Sequence, residues 1–376
     1  MPADATGVRF QTPALPAQEL IDHYFQRSRD AGWFSNFGPC VRSFEQRLSD
    51  QLLAGTSVVS ASNATVALMV AMRAVFGPGS WGAGRVLVPS FTFIGSVSAL
   101  TWAGYRPVFV DIDADDWQVS QQSLTDALGT DRHRIVGALL TTTFGTPLGL
   151  ARRAALETVL GEHGIPVVVD SAAGLGSCAP SSFPGSATVY SLHATKPFAV
   201  GEGGVVACPD PFVAGKVRQL TNFGFDDAHA LELDIGINAK LPEILGATGL
   251  AVLDGFAATL ARRRSRALDL LGRLSGLGLT PQHGCSDSTF QFLPVLCASV
   301  EHRRRLLAAS AASNVQVRTY FDPPMHRVPA FAADQVAGAL SATDDVAARI
   351  VALPMSNDLP GEDCEAIVEM CASALR

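Results

Sequence analysis

The chain has 376 residues, 48% hydrophobic and 17% charged, with 28 Lys plus Arg against 35 Asp plus Glu for a formal net charge of −7. That length exceeds one small core and suits a large unit with a smaller appendage, and the composition excludes a disordered chain. The acidic balance disfavours nucleic acid or an anionic membrane as the main partner, without bearing on a local basic pocket.

The seven cysteines (Cys40, Cys178, Cys208, Cys285, Cys297, Cys364, Cys371) are odd in number, widely spread and include no CxxC. That usage reads as reduced and intracellular, with buried thiols rather than a disulfide framework or a metal site. The opening MPADATGVRFQTP lacks the basic-then-apolar pattern of a secretory signal. Residues 86–105 are uncharged and long enough to span a membrane, but Pro89, two glycines and several hydroxyls break them into a strand and a helix. A soluble, cytoplasmic protein is expected.

In chain order, helices are expected over 13–25 and 40–53, separated by the loop GWFSNFGP (32–39). From residue 56 a short β-branched run, a small-residue turn and a helical stretch recur. The runs fall at 57–60, 85–88, 107–110, 135–141, 165–169, 188–192 and 204–208. Such alternation predicts an α/β fold with a mostly parallel, seven-stranded sheet covered on both faces. Ligands of these sheets bind outside the carboxyl ends of the strands. Beyond about residue 221 the pattern changes. A long helix over 241–274 carries the basic cluster Arg262, Arg263, Arg264 and Arg266, read as a solvated helix face. Strands at 290–296 and 315–319, with helices at each end of the tail, predict a smaller α+β unit. The expected division is 1–250 and 251–376, with the long helix as connector.

The strand ends carry the candidate chemistry. Ser62-Asn63-Ala64-Thr65 precedes a helical run, so its free N–H groups could cup a phosphate or simply start a helix. Phe93 in PSFTF could stack on a planar ligand or be core. Asp170 follows the apolar IPVVV and would need a partner: either the N–H groups of the next turn, or a protonated ring nitrogen. Residues 189–204 (VYSLHATKPFAVGEGG) supply Ser191, His193 and Lys196. Only three lysines occur, Lys196, Lys216 and Lys240, and only a primary amine forms a Schiff base. Lys216 reads as a solvated helix residue and His193 as a packed core histidine. A lysine, a carboxylate, an aromatic and a helix-end phosphate cup together suit pyridoxal 5′-phosphate (PLP).

The chain resembles the DegT/StrS-type, fold-type I PLP-dependent aminotransferases that act on nucleotide-linked keto-sugars. The likeness runs over roughly 32–359 and is strongest over 58–264. It is carried by SNATVAL (62–68), VPSFTF (88–93), PVFVDID (107–113), VVVDSAAGLGS (167–177), SLHATKPFAVGEGG (191–204) and GINAKLPEILGATGLAVLDGFAATLARRR (236–264). The resemblance implies that Lys196 carries the cofactor as a Schiff base and that Asp170 meets its ring nitrogen. It implies that Phe93 covers the ring, and that Ala64, Thr65 and Ser191 hold the phosphate. Asn238 would reach the phosphate of a neighbouring subunit's cofactor, giving a homodimer with shared active sites.

Ala64 stands where the family has glycine, Ala173 where it has glutamine or histidine, and Thr143 where it has histidine. Ala239 stands where it has an aromatic. Lysine rather than histidine at 196 implies transamination rather than dehydration. The implied reaction moves an amino group from L-glutamate to a keto-sugar, with dTDP-4-keto-6-deoxyhexose as the best match. A 3-keto sugar or keto-cyclitol, and a non-catalytic PLP-binding sensor, are the alternatives. Tyr320 and His326 in YFDPPMHR (320–327) are the substrate-side candidates.

Overall fold

The structure is a computed structural model that describes residues 7–78, 84–131, 134–183, 185–225 and 235–375. Elements are numbered in chain order. The seven expected runs form β1 (Ser57–Ala61), β2 (Arg85–Pro89), β3 (Arg106–Val110), β4 (Ile135–Thr141), β5 (Val167–Asp170), β6 (Ala187–Ser191) and β7 (Gly204–Cys208). Between them lie α3 (Ala64–Phe76), α4 (Ile94–Trp102), α5 (Gln121–Asp131) and α6 (Leu150–Glu162). The sheet order is β1-β7-β6-β5-β4-β2-β3-β10. β7 runs antiparallel to both β1 and β6, and the other neighbours are parallel. The sheet therefore has eight strands rather than seven. β10 (Gln335–Val336) adds to β3 from the C-terminal part, and two residues leave no run in the sequence to announce it.

Successive side chains of a strand point to opposite faces, and here both faces are covered. Val88, Leu139, Val168 and Val206 pack with Leu68 and Met72 of α3. Leu87, Val108, Leu140 and Val169 pack with Leu124 of α5 and Leu156 of α6. The uncharged stretch 86–105 resolves into β2 and α4, as its proline and hydroxyls dictate.

Two long-range elements fix the N-terminal part. α1 (Gln18–Ala31) starts five residues later than expected: Pro16 disfavours helix at Leu15, and Ala17 is extended, φ −56° and ψ 142°. Gly32 ends it in a left-handed conformation, φ 59°. α2 (Pro39–Leu52) is capped from far away by Glu243, the first residue of α8 (Glu243–Arg273). The buried Glu243 carboxylate accepts from the N–H groups of Cys40 (2.7 Å) and Val41 (3.3 Å) and from Ser28 Oγ (2.8 Å). A Cβ at residue 38 would lie 2.8 Å from the Glu243 carboxyl carbon, so a side chain there would push the carboxylate off its hydrogen-bond partners.

α8 links two cores. Its first half packs Leu250, Leu253 and Phe256 with Phe44 and Leu48 of α2. Its second half packs Ala267 and Leu270 with β9 (Leu293–Cys297) and α11 (Gly361–Leu375). By length and hydropathy α8 could cross a membrane, but these contacts make it a core helix. The sequence division at 250 falls inside it.

A second, antiparallel sheet has the order β11-β9-β8, with β8 (Leu279–Pro281) and β11 (Ile350–Leu353). α9 (Val300–Ser313) and α11 pack on it, and α10 (Ser341–Arg349) leads into β11. The expected strand at 315–319 is absent. Val315 bridges Val8 and Arg318 bridges Ala352, so its pairing is split between two partners and no ladder forms.

Candidate active site

β5 and β6 are neighbours, and the residues that end them converge. Asp170, the last residue of β5, is buried, with Oδ2 accepting from Ser96 Oγ (2.6 Å) and Oδ1 from the Ala172 N–H (2.9 Å). Burial raises its pKa; the Ser96 and Ala172 hydrogen bonds and the charge of Lys196 pull it back. No salt bridge neutralises this carboxylate among the described residues. Ser96 lies in the first turn of α4 and was not singled out from the sequence.

Past β6 the chain makes a tight loop back into β7. His193 bridges Gly201, Ala194 N–H bonds Gly201 O (2.8 Å), and Lys196 N–H bonds His193 O (2.8 Å). Gly201 has φ +105°, a conformation that favours glycine. A Cβ on Gly204 would sit 2.6 Å from Asn63 O and 2.8 Å from the Ala64 nitrogen. The glycine turn thus shapes backbone, letting the lysine loop rest against the start of α3.

Lys196 projects from this loop and donates from Nζ to Gln291 Oε1 (2.8 Å). The side chain keeps some solvent access, yet protein surrounds the amine closely. Burial pushes its pKa down to about 8, against the opposing pull of Asp170. At neutral pH roughly a tenth of such an amine is unprotonated, against less than a thousandth for an ordinary lysine. Lys216, by contrast, lies exposed on α7 (Pro211–Thr221) over the Phe212 ring, and Lys240 lies over Phe223.

Asn63 caps α3, its side chain accepting from the Val66 N–H (2.9 Å). Ala64 opens the helix without a positive φ, so alanine in place of glycine strains nothing here. Thr65 is exposed, and its Oγ1 would be 3.8 Å from a Cβ on Gly95, which itself lies against the Phe93 ring. Phe93 is 60% exposed at the start of α4, so it is not the core residue its apolar surroundings allowed. Ser191 ends β6, buried, accepting from the His193 N–H (3.3 Å). Asn238 is exposed and bridges Asn222; the next carbonyl, Ala239 O, accepts from Ser62 N–H (2.7 Å) beside the same turn.

Other sequence candidates stand apart. Tyr320 stacks on Phe292 (4.7 Å, 5° between planes) in an aromatic cluster with Phe10 and Phe144, and burial raises its pKa. His326 binds Ser90 through Nδ1 (2.7 Å) and lies 3.4 Å from Asp344, tying the end of β2 to α10. Neither bonds Lys196 or Asp170. His193 is not a packed core histidine: it is half exposed, bonding Thr195 Oγ1 (2.9 Å), with Glu202 3.5 Å away.

The basic cluster is a solvated face only in part, at the exposed Arg262 and Arg266. Arg263 is buried and Arg264 half-buried, because each finds backbone carbonyls to bond. Gln291, like Ser96, has no role legible in the sequence, and Arg263 shows there only as one of a basic cluster. A lone amide between Phe290 and Phe292 at the head of an apolar run was the available signal for the first.

A cavity of about 10 Å³, the size of one water, lies beside the amine among Gln11, Thr195, Lys196, Arg263, Gln291 and Asn357. A larger one of about 920 Å³ opens between α2, β1 and α7, and none of the residues around Lys196 or Asp170 lines it.

The DegT/DnrJ/EryC1/StrS aminotransferase family model matches residues 17–372. The chain belongs to this family. Protein Rv3402c of Mycobacterium tuberculosis (strain ATCC 25618 / H37Rv) is 34% identical over 368 residues, covering 96% of this chain and 88% of that protein. The dTDP-4-amino-4,6-dideoxy-D-glucose transaminase of Escherichia coli is 26% identical, covering 93% of this chain and 94% of the enzyme. The solved structure of DesI in the presence of its TDP-sugar product has a TM-score of 0.86 at 29% identity, covering 98% of this chain and 93% of that one. As a DegT/DnrJ/EryC1/StrS protein the chain is a PLP-dependent aminotransferase of fold type I.

Proposed function

We propose that this aminotransferase moves an amino group from L-glutamate to a nucleotide-linked keto-sugar, dTDP-4-keto-6-deoxyhexose, in deoxyaminosugar biosynthesis. The observation that carries the reading is a buried carboxylate, Asp170, at the end of β5 within electrostatic reach of Lys196 on the loop after the neighbouring β6, with the amine brought down to about 8. The E. coli transaminase and DesI, with their dTDP- and TDP-sugars, support the choice of nucleotide.

The residues suit PLP. A buried carboxylate with no cation bonded to it is complementary to a protonated ring nitrogen, and Asp170 is that group. The exposed Phe93 ring offers a face to cover the cofactor ring. The start of α3 offers Ala64 N–H and the Thr65 hydroxyl to the phosphate, and Ser191 a second hydroxyl. When bound, PLP supplies an electron sink for charge developing on the substrate carbon beside nitrogen.

The chain's own side chains do the rest. Asp170 would keep the ring nitrogen protonated, with Ser96 and the Ala172 N–H favouring its charged form against the burial that raises its pKa. Lys196 Nζ, neutral once released, would take the proton from the donor Cα and pass it to the cofactor carbon that keeps the nitrogen, and would run the same transfer in reverse to protonate the sugar carbon that gains the amine. Tyr320 and His326 shape the substrate side without bonding the reacting atoms. The enzyme acts in the cytoplasm as a homodimer, with Asn238 reaching across to the partner's cofactor phosphate. Exposed apolar side chains at Trp33, Phe34, Ile235 and Ile237 support that pairing.

Purified protein should show a visible cofactor band that L-glutamate bleaches. A panel of dTDP- and UDP-linked keto-sugars, read by product mass, should give a gain of one amine on the dTDP-4-keto sugar. A Lys196→Ala protein that still turned over would sink the assignment, and turnover with none of the panel would favour a sensor.

A further inference from the structure

Gln291 lies two residues ahead of β9 and is buried, between Phe290 and Phe292, which anchor in different cores. Its backbone has no freedom. The buried Arg263 guanidinium donates to three consecutive carbonyls, Thr289 (3.3 Å), Phe290 (2.5 Å) and Gln291 (3.0 Å), and to Asn357 Oδ1 (2.7 Å). Gln11 Nε2 donates to the Gln291 carbonyl (3.2 Å) and also to the Thr195 carbonyl (3.1 Å). One side chain thus stitches the segment before β9 to the loop that carries Lys196. From this frame Gln291 Oε1 accepts the Lys196 ammonium, which can only donate, so the amide oxygen must face it.

We propose that Gln291 is a positioning residue for the catalytic lysine: its amide oxygen holds the Lys196 amine in place whenever that amine is not bonded to cofactor. The proposal rests on the role given to Lys196 above. The four-carbon stem rotates about every bond, so a released lysine left unheld would leave its station. The amide is the group that holds without locking. A carboxylate at this position would trap the lysine as ammonium and spoil it as a base. An aliphatic side chain would leave a buried amine unpaired. The ionised group whose charge the amine feels is Asp170, while Arg263 directs its donors to carbonyls and Asn357.

The test uses the PLP-free full chain. Peptide-resolved competitive acetylation with acetic anhydride across pH 6–10 reports the Lys196 midpoint, with exposed Lys216 as internal standard. The wild-type midpoint should fall near about 8. Gln291→Leu should lower it by about one unit, and Gln291→Glu should raise it by about one unit or more. Gln291→Glu is nearly isosteric, so it decides the matter if the leucine variant does not fold. The same midpoint in folded Gln291→Glu as in wild type overturns the proposal. Absence of a visible band when PLP is added to wild type would overturn the cofactor reading instead, since the labelling midpoints do not depend on it.

Discussion

Ser96 Oγ donates a 2.6 Å hydrogen bond to Asp170 Oδ2, joining the first turn of α4 to the end of β5 across 74 residues. The hydroxyl opposes the burial that raises the Asp170 pKa. Ser96→Ala should therefore push that pKa higher still. Cofactor affinity should fall by roughly tenfold or more, the worth of a hydrogen bond to a charged group. Its acid-side loss should begin at higher pH than in wild type. PLP titrations followed by absorbance at several pH values check both. Equal affinity across the pH range would show that Ser96 does not tune the carboxylate.

The Lys196 amine makes the PLP-free protein's stability depend on pH in a stated direction. Its folded pKa, about 8, lies below the ordinary lysine value of 10.5. Between those values the unfolded chain binds more protons, so stability from this group rises as pH climbs from 8 to 10.5. Below pH 8 the buried ammonium is a cost. Lys196→Met should accordingly stabilise the PLP-free protein at pH 7, by up to about 3 kcal/mol, and the gain should vanish above pH 10.5. Urea unfolding at pH 7 and at pH 10.5 measures it, and a larger gain at the higher pH contradicts the assignment.

The site divides into a part the sequence displays and a part it hides. Asp170, Lys196, Ser191 and the Asn63–Thr65 turn sit at ends of strands whose apolar runs are unmistakable, so their convergence follows from sheet topology. The strands themselves lie within two residues of where the runs put them. Ser96, Gln291 and Arg263 act through contacts 74, 95 and 26 to 94 residues away, and nothing local marks them. Arg263 misled for a physical reason: four arginines within five positions look like a solvated stripe. Carbonyls at 289–291, which local pattern cannot foresee, are what draw one of them inside. β10 was too short to read, and 315–319 had strand composition but no single partner strand.

Arg263 also yields a stability prediction. Its pKa is pushed down to about 10 by burial, which Asp358 partly opposes, so the charge is held at a cost that its four acceptors offset. Arg263→Lys supplies a point charge where a planar fork spans Thr289, Phe290, Gln291 and Asn357. Three donors cannot serve four acceptors, so at least one of them loses its Arg263 hydrogen bond, and the urea midpoint should fall by an amount worth about 1–3 kcal/mol. The Lys196 labelling midpoint should shift as well, because Gln291 loses its frame. A stable Arg263→Lys protein with unchanged labelling would show that the segment before β9 holds itself.

Glu243 tests whether a helix can be capped from 200 residues away. Its buried carboxylate meets Cys40 and Val41 N–H groups in the first turn of α2, where Pro39 already removes one donor, and takes the Ser28 hydroxyl from α1. The charge also complements the positive end of the helix. Glu243→Gln keeps the shape and one acceptor oxygen but drops the charge, and should cost about 1–2 kcal/mol. Glu243→Ala leaves two buried N–H groups without their acceptor and the Ser28 hydroxyl with only Cys40 Sγ, and should cost about 3 kcal/mol or more. Because Gly38 is present to make room for this side chain, Gly38→Ala should destabilise by a comparable amount through its 2.8 Å clash with the carboxyl carbon. The Gly38→Ala loss should shrink when combined with Glu243→Ala, since the clash is then gone. Urea midpoints for the two single variants and the double measure the coupling, and strict additivity would show that the two residues do not meet.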